Sequence, residues 1–379
     1  MTENGFMYLP KLNQIDMRDI PLETFPSQVF KTTRFLRTVY ADNYKLCCRQ
    51  NLPDSFETGS CFAPVDEISS CYDLLRSDVY RVFLWLFCAL SITGNTGCFL
   101  FRQLQKNVSV SGFSVFVTNL SISDLLMDVY LAIVVAADET YRSTYLWNDL
   151  RWRVSPMCKV AGFLSLLSSE VSAFIICLIT LDRFIVLRFP FSEVRFQRRS
   201  ASLACGLVWA VGITLAGVPL LPFMSEWEFY SQNGICIPLP ITRKSFKGRA
   251  YSFGVMIVFN MVLFVFIAVG QVCIYWSVRM NSMDGSSTKK SKDIIIARRL
   301  ATVVVSDFLC WFPVGMLSIM AAVGIPVPSE ASVALVIFVL PLNSALNPFL
   351  YTFNLLLEKW NRAEEKRMLK KLELTSSVD

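Results

Sequence analysis

Polar residues able to bind a cation, hold a proton or build a hydrogen-bond network interrupt the long apolar runs of this sequence. Asn95, Asp124, Glu170 with Ser172, Asp307, and Asn343 with Ser344 and Asn347 each stand among aliphatic and aromatic neighbours. A lone charge at the centre of a bilayer costs about 2.5–3.5 kcal/mol on insertion scales, so Asp124, Glu170 and Asp307 require a partner, water, a cation or a proton. The plainer use of such a set is a satisfied network that holds helices together, worth about 0.6 kcal/mol per bond. Asn347 opens the cluster Asn347-Pro348-Phe349-Leu350-Tyr351. There Pro348 removes a backbone donor and clashes with the carbonyl one turn back, and in hydrocarbon the freed groups need neighbouring helices or trapped water. Asp182-Arg183 differs, because it lies at the end of its run, where both charges can reach water. The chain contains no histidine, which excludes histidine triads, histidine metal ligands and histidine pH switching. It also lacks a glycine-rich phosphate loop and paired cysteines at zinc-finger spacing.

The elements that must position these residues are membrane spans. The chain has 379 residues, 54% of them hydrophobic, and a mean hydropathy of +0.46, too apolar for a soluble globule of this size. Runs near 80–102, 112–137, 158–186, 201–223, 250–278, 294–323 and 332–353 each reach the roughly 20 residues that cross a bilayer core. The expected fold is an all-α membrane protein, a seven-helix bundle occupying 80–354. Arg102 and Lys106, then Arg188, Arg195, Arg198 and Arg199, then Arg279, Lys289, Lys290 and Lys292 follow spans one, three and five, and more basic residues follow span seven. Positive residues mark the cytoplasmic side, so the N-terminus is expected outside and the tail inside. The net charge of +6 therefore speaks of topology, not of nucleic acid.

Ahead of the first span, the first 30 residues lack the basic region and apolar core of a secretory signal, so either span one inserts unaided or the chain starts further upstream. Leu9, Leu12, Ile15 and Met17, then Phe25, Pro26 and Phe30, fit a leucine-rich repeat, with Ile20 at the place of the usual asparagine. A repeat cannot bury its face alone, so residues 1–35 read as the remnant end of an array. Cys47, Cys48, Cys61 and Cys71 then define a cysteine-rich hinge over 36–79. Four such cysteines most simply form two disulfides, Cys47 and Cys48 each reaching one of the other two, with the pairing open. Cys158 and Cys236 are expected to form a separate pair. The cysteines inside spans read as small apolar packers.

Taken in order, Asn95, Asn119-Leu120-x-x-x-Asp124, Leu181-Asp182-Arg183-Phe184, Trp209, Cys310-Trp311-Phe312-Pro313 and Asn347-Pro348-x-x-Tyr351 resemble the signatures of rhodopsin-like G-protein-coupled receptors. Glu170, Asp307, the run Pro341 to Pro348 and the Asp66-Glu67-Ile68-Ser69-Ser70-Cys71 segment are similar to the leucine-rich-repeat-containing receptors. Thr180-Leu181-Asp182-Arg183-Phe184 followed by Pro190-Phe191 places the likeness nearest the relaxin-type branch.

The resemblance implies roles. Arg183 would engage a heterotrimeric G protein in the active state and pair with Asp182 and Asp293 at rest. Asp124, Ser172, Asn343, Ser344 and Asn347, with Asn95 nearby, would line a sodium and water pocket; a sodium ion at Asp124 is the one cofactor implied. Trp311 would switch rotamer at the Pro313 kink, Asp307 would hold Asn347 at rest, and Tyr351 would swing inward beside span five. Glu170 would be a core polar residue, and 355–379 would form an amphipathic eighth helix and tail. Departures from the family pattern are the missing proline in span five, where Asn260 is the nearest polar landmark, Gln271 where a tyrosine is usual, and no cysteine after Tyr351. The expected function is a plasma-membrane receptor for a relaxin-like peptide or protein hormone that raises cyclic AMP and makes no covalent chemistry of its own, with receptor dimers as a further partnership. A truncated, non-signalling form acting as dimer partner or decoy is the alternative expectation.

Overall fold

The structure, a computed structural model, describes residues 6, 9, 11–20, 28–57, 60–64, 66, 68–104, 112–189, 195–238, 247–281, 309, 312–320, 323, 325 and 334–348.

The amino-terminal segment is not helical. Strands β1 (Gln14–Met17), β2 (Thr38–Ala41) and β3 (Cys61–Phe62) form a parallel sheet in that order, with Gln14 opposite Thr38 and Val39 opposite Cys61. The all-α expectation is corrected to that extent, and the sheet crosses the boundary expected at residue 35. Alternation explains it: Met17, Val39 and Ala41 point into a small core with Val29, Phe30, Leu36, Leu46, Leu52 and Phe56, and their neighbours face out. This core is separate from that of the helices.

A 3-10 turn, Tyr44–Cys47, follows β2 within this module. Disulfides run from Cys47 to Cys61 on β3, and from Cys48 to Cys71 ahead of the first helix, which decides the pairing that spacing left open. The third disulfide, Cys158–Cys236, is as expected.

Five helices among the described residues are long and apolar enough to cross a membrane. They are α1 (Asp78–Leu104), α2 (Gly112–Thr140), α4 (Pro156–Arg188), α5 (Arg198–Gly217), and α6 (Arg249–Phe253) continuing through a π-helical turn (Gly254–Phe259) into α7 (Asn260–Asn281). A short α3 (Tyr145–Arg153) precedes α4. A helical stretch covers 312–320, and a second π turn (Leu335–Val339) leads into α8 (Leu340–Pro348), so parts of the sixth and seventh expected spans are seen as helix. Span four stops at Gly217, short of the expected 223, because Pro219 and Pro222 divert the chain into 3-10 turns. α4 starts cleanly: Pro156 occupies its first turn and Ser155 Oγ accepts from Cys158 N at 3.1 Å. It packs against α2, α5 and α7 and is apolar on nearly every face, as a central helix must be.

Candidate functional site

The polar residues of the spans converge along α2, α4 and α8. Asp124 is 3% exposed; its Oδ1 accepts from Ser172 Oγ at 3.3 Å and its Oδ2 from Asn347 Nδ2 at 3.0 Å, which joins spans two, three and seven. Ser344 Oγ donates to the Asp124 carbonyl at 3.3 Å. Ser123 and Ser168 exchange hydroxyl-to-carbonyl bonds of 2.9 and 2.8 Å, locking α2 to α4 beside this centre.

One turn along α2 lies a second carboxylate that the motifs did not single out. Asp128 is 1% exposed and accepts from Ser91 Oγ, from Asn95 Nδ2 at 3.3 Å and from Ser344 Oγ at 3.3 Å. Asn95, expected beside Asp124, therefore serves Asp128, and Ser91 joins it there. The signal was present in sequence: Asp124-Leu125-Leu126-Met127-Asp128 puts two acids on one helical face. Gly94 permits the approach of α1 to α8, since a Cβ there would sit 3.0 Å from Pro348 Cγ.

At the far end of α4, Arg183 Nη2 lies 3.2 Å from Asp182 Oδ2, and the guanidinium stacks 4.0 Å above the Phe113 ring. Trp209 Nε1 donates to Asn119 Oδ1 at 3.0 Å, and Gln271 Nε2 to Thr180 Oγ1 at 3.4 Å. Midway along α4, Glu170 Oε1 accepts from Asn260 Nδ2 at 2.9 Å. Pro313 lies in the 312–320 stretch and Asn343 in α8. Asp293, Asp307, Trp311 and Tyr351 lie outside the described residues.

At the other end, polar residues weld the amino-terminal module to the bundle. Arg153 Nε meets Asp149 Oδ1 at 2.5 Å, its Nη2 meets Asp66 Oδ2 at 3.0 Å, and its Nη1 donates to Gln232 O at 3.1 Å. Arg81 Nε meets the buried Asp138 Oδ2 at 2.6 Å, and Asp138 Oδ1 accepts from Leu75 N at 2.9 Å.

A sequence profile of the 7 transmembrane receptor (rhodopsin family) matches residues 69–351. The chain belongs to this receptor family. It is 35% identical over 328 residues to G-protein coupled receptor GRL101 of Lymnaea stagnalis, covering 86% of this chain and 29% of the relative. It is 31% identical over 320 residues to human relaxin receptor 2, covering 84% of this chain and 42% of the relative. To human relaxin receptor 1 it is 30% identical over 296 residues, covering 77% and 39%. Within the family the receptor thus stands near the relaxin receptors, and it spans less than half the length of these relatives.

Proposed function

We propose that this receptor passes the binding of a relaxin-like peptide or protein hormone to a heterotrimeric G protein and raises cyclic AMP. The carrying observation is the Asp182–Arg183 pair, with Arg183 folded over Phe113 at the end of α4: a cation tied to its own helix that would become free for a partner if the ends of the helices part. The basic residues after spans one, three and five support a cytoplasmic position for this end. Disulfides in the amino-terminal module accord with the opposite, oxidising side.

The parallel strands support reading that module as the end of a leucine-rich array, since each strand pairs with one roughly 20–25 residues on, within the ~20–29-residue period of such repeats. Asp124, Ser172, Ser344 and Asn347 offer oxygen acceptors to a cation, the buried Asn347 Oδ1 having no donor among the described residues, which suits a sodium ion.

Cyclic AMP in cells expressing the receptor and its Arg183→Ala variant at matched surface levels tests the reading. The wild type should show output, basal or evoked by a relaxin-like peptide, that Arg183→Ala abolishes. Equal output from the two, or silence from both across other G-protein readouts, would sink it.

A further inference from the structure

Glu170 is 0% exposed and Asn260 2% exposed, and each keeps one oxygen without a donor among the described residues: Glu170 Oε2 and Asn260 Oδ1. Two bare acceptors side by side in hydrocarbon are costly, because neither can turn to water. Reversing the Asn260 amide does not relieve them. Its nitrogen also faces the carbonyls of Val255 at 3.2 Å and Met256 at 3.3 Å, which can only accept, so the NH2 is fixed toward Glu170 and these carbonyls. Among the described residues, the hydroxyls of Ser169, Ser172 and Tyr251 are committed elsewhere. Ser169 Oγ donates to Ser165 O at 2.8 Å, Ser172 Oγ turns toward Ser123 and Asp124, and Tyr251 Oη donates to Leu215 O at 2.7 Å.

A single proton settles both oxygens. We infer that Glu170 carries a proton on Oε2 and donates it to Asn260 Oδ1, closing a ring of two hydrogen bonds between a carboxylic acid and a carboxamide. As acceptor through Oε1 and donor through Oε2, the acid complements the amide completely; an ionised carboxylate can only accept. The ring sits at the junction of the π turn with α7, where the Val255 and Met256 carbonyls also accept from the Asn260 side chain. Asn260 takes up those carbonyls with its NH2 while Glu170 holds its carbonyl oxygen. The pair thereby ties the π turn of span five to span three.

Infrared spectra of the receptor and its E170Q variant in lipid nanodiscs test the proton directly. Expected is a carbonyl stretch of a protonated carboxylic acid, shifted down in D2O, present in the wild type and absent from E170Q. The glutamine can replace the acid as both donor and acceptor, so E170Q should leave Tm unchanged, whereas E170A and N260A each lower it by a few degrees. A wild type without an E170Q-sensitive band overturns the inference, and so does an E170Q whose Tm falls as far as that of E170A. Either result would mean an ionised Glu170 held by a cation or water. If E170A fails to fold, the infrared comparison of wild type with E170Q still decides.

Discussion

The ammonium of Lys45 and the carboxylate of Asp149 form a buried ion pair across 104 residues of sequence. Lys45 belongs to the same 3-10 turn that carries Cys47, and Asp149 to α3, between the second and third spans. Asp149 is also held by Arg153, so one carboxylate serves two cations. Removing it would strand Lys45 in a site with little water and leave Arg153 on Asp66 and the Gln232 carbonyl alone. Asp149→Ala is therefore expected to cost about 3–5 kcal/mol, the usual penalty for deleting one partner of a buried pair. Lys45→Met, which leaves Asp149 on Arg153, should cost only about 1 kcal/mol. Thermal unfolding of purified receptor checks the order; equal losses would show that the pair contributes no more than packing.

The same cluster predicts acid sensitivity. Burial alone would raise the Asp149 carboxyl, but Arg153 and Lys45 together outweigh it and hold it below its ordinary value. A carboxyl lowered by folding stabilises fully above its unfolded value of roughly 3.9 and loses that contribution as pH falls through the folded value. The Tm advantage of wild type over Asp149→Asn should hold at neutral pH and shrink below about pH 4. An advantage that stays constant into acid would show that the site does not ionise as described.

Helix glycines separate by what surrounds them. A Cβ on Gly162 would collide with the Tyr230 ring and the Cys236 carbonyl, where α4 passes beneath the loop holding the Cys158–Cys236 disulfide. Gly162→Ala should destabilise by about 1–3 kcal/mol through overpacking. Gly97 in α1 has nothing within 4 Å of such a Cβ, so Gly97→Ala should be neutral or stabilising by up to about 1 kcal/mol. Surface expression and Tm of the two variants, measured side by side, should diverge in sign; a harmless Gly162→Ala would contradict the packing at that loop.

Much of this was legible in the chain because membranes impose simple rules. Apolar runs of sufficient length located the described spans, but the run continuing to 223 hid the end of span four, which Pro219 and Pro222 set at Gly217. The cysteine pairing was not legible, since Cys47 and Cys48 are chemically alike and only the path of β3 and of residue 71 distinguishes them. Lys45 with Asp149 was hidden by sequence distance, and nothing local marks either residue as buried. The π turn before Asn260 carries no proline or paired glycine to announce it, and the contact it makes with Glu170 lies on another helix. Asp128 was readable, one turn from Asp124 on the same helical face, but it stands outside the family motif that contains Asp124.

Asp128 also gives the sharpest test of how span seven is held. Asp124 reaches α8 through Asn347, and Asp128 reaches it one turn earlier through Ser344 while also gathering Ser91 and Asn95 from α1. Among the described residues both carboxylates thus latch α2 to span seven, and the bonds of Asp128 also take in span one. Replacing Asp128 with leucine removes the shared acceptor of three buried donors and should cost about 1–3 kcal/mol of stability. Asp128→Asn keeps one acceptor oxygen and should cost less. Ser344→Ala removes the hydroxyl that reaches both Asp128 and the Asp124 carbonyl, so the part of its effect that runs through Asp128 should vanish after Asp128→Leu, a coupling that a double-mutant cycle reads directly. Additive effects of Asp128→Leu and Ser344→Ala would show that Ser344 is held by the Asp124 carbonyl alone, and that span seven has one carboxylate latch instead of two.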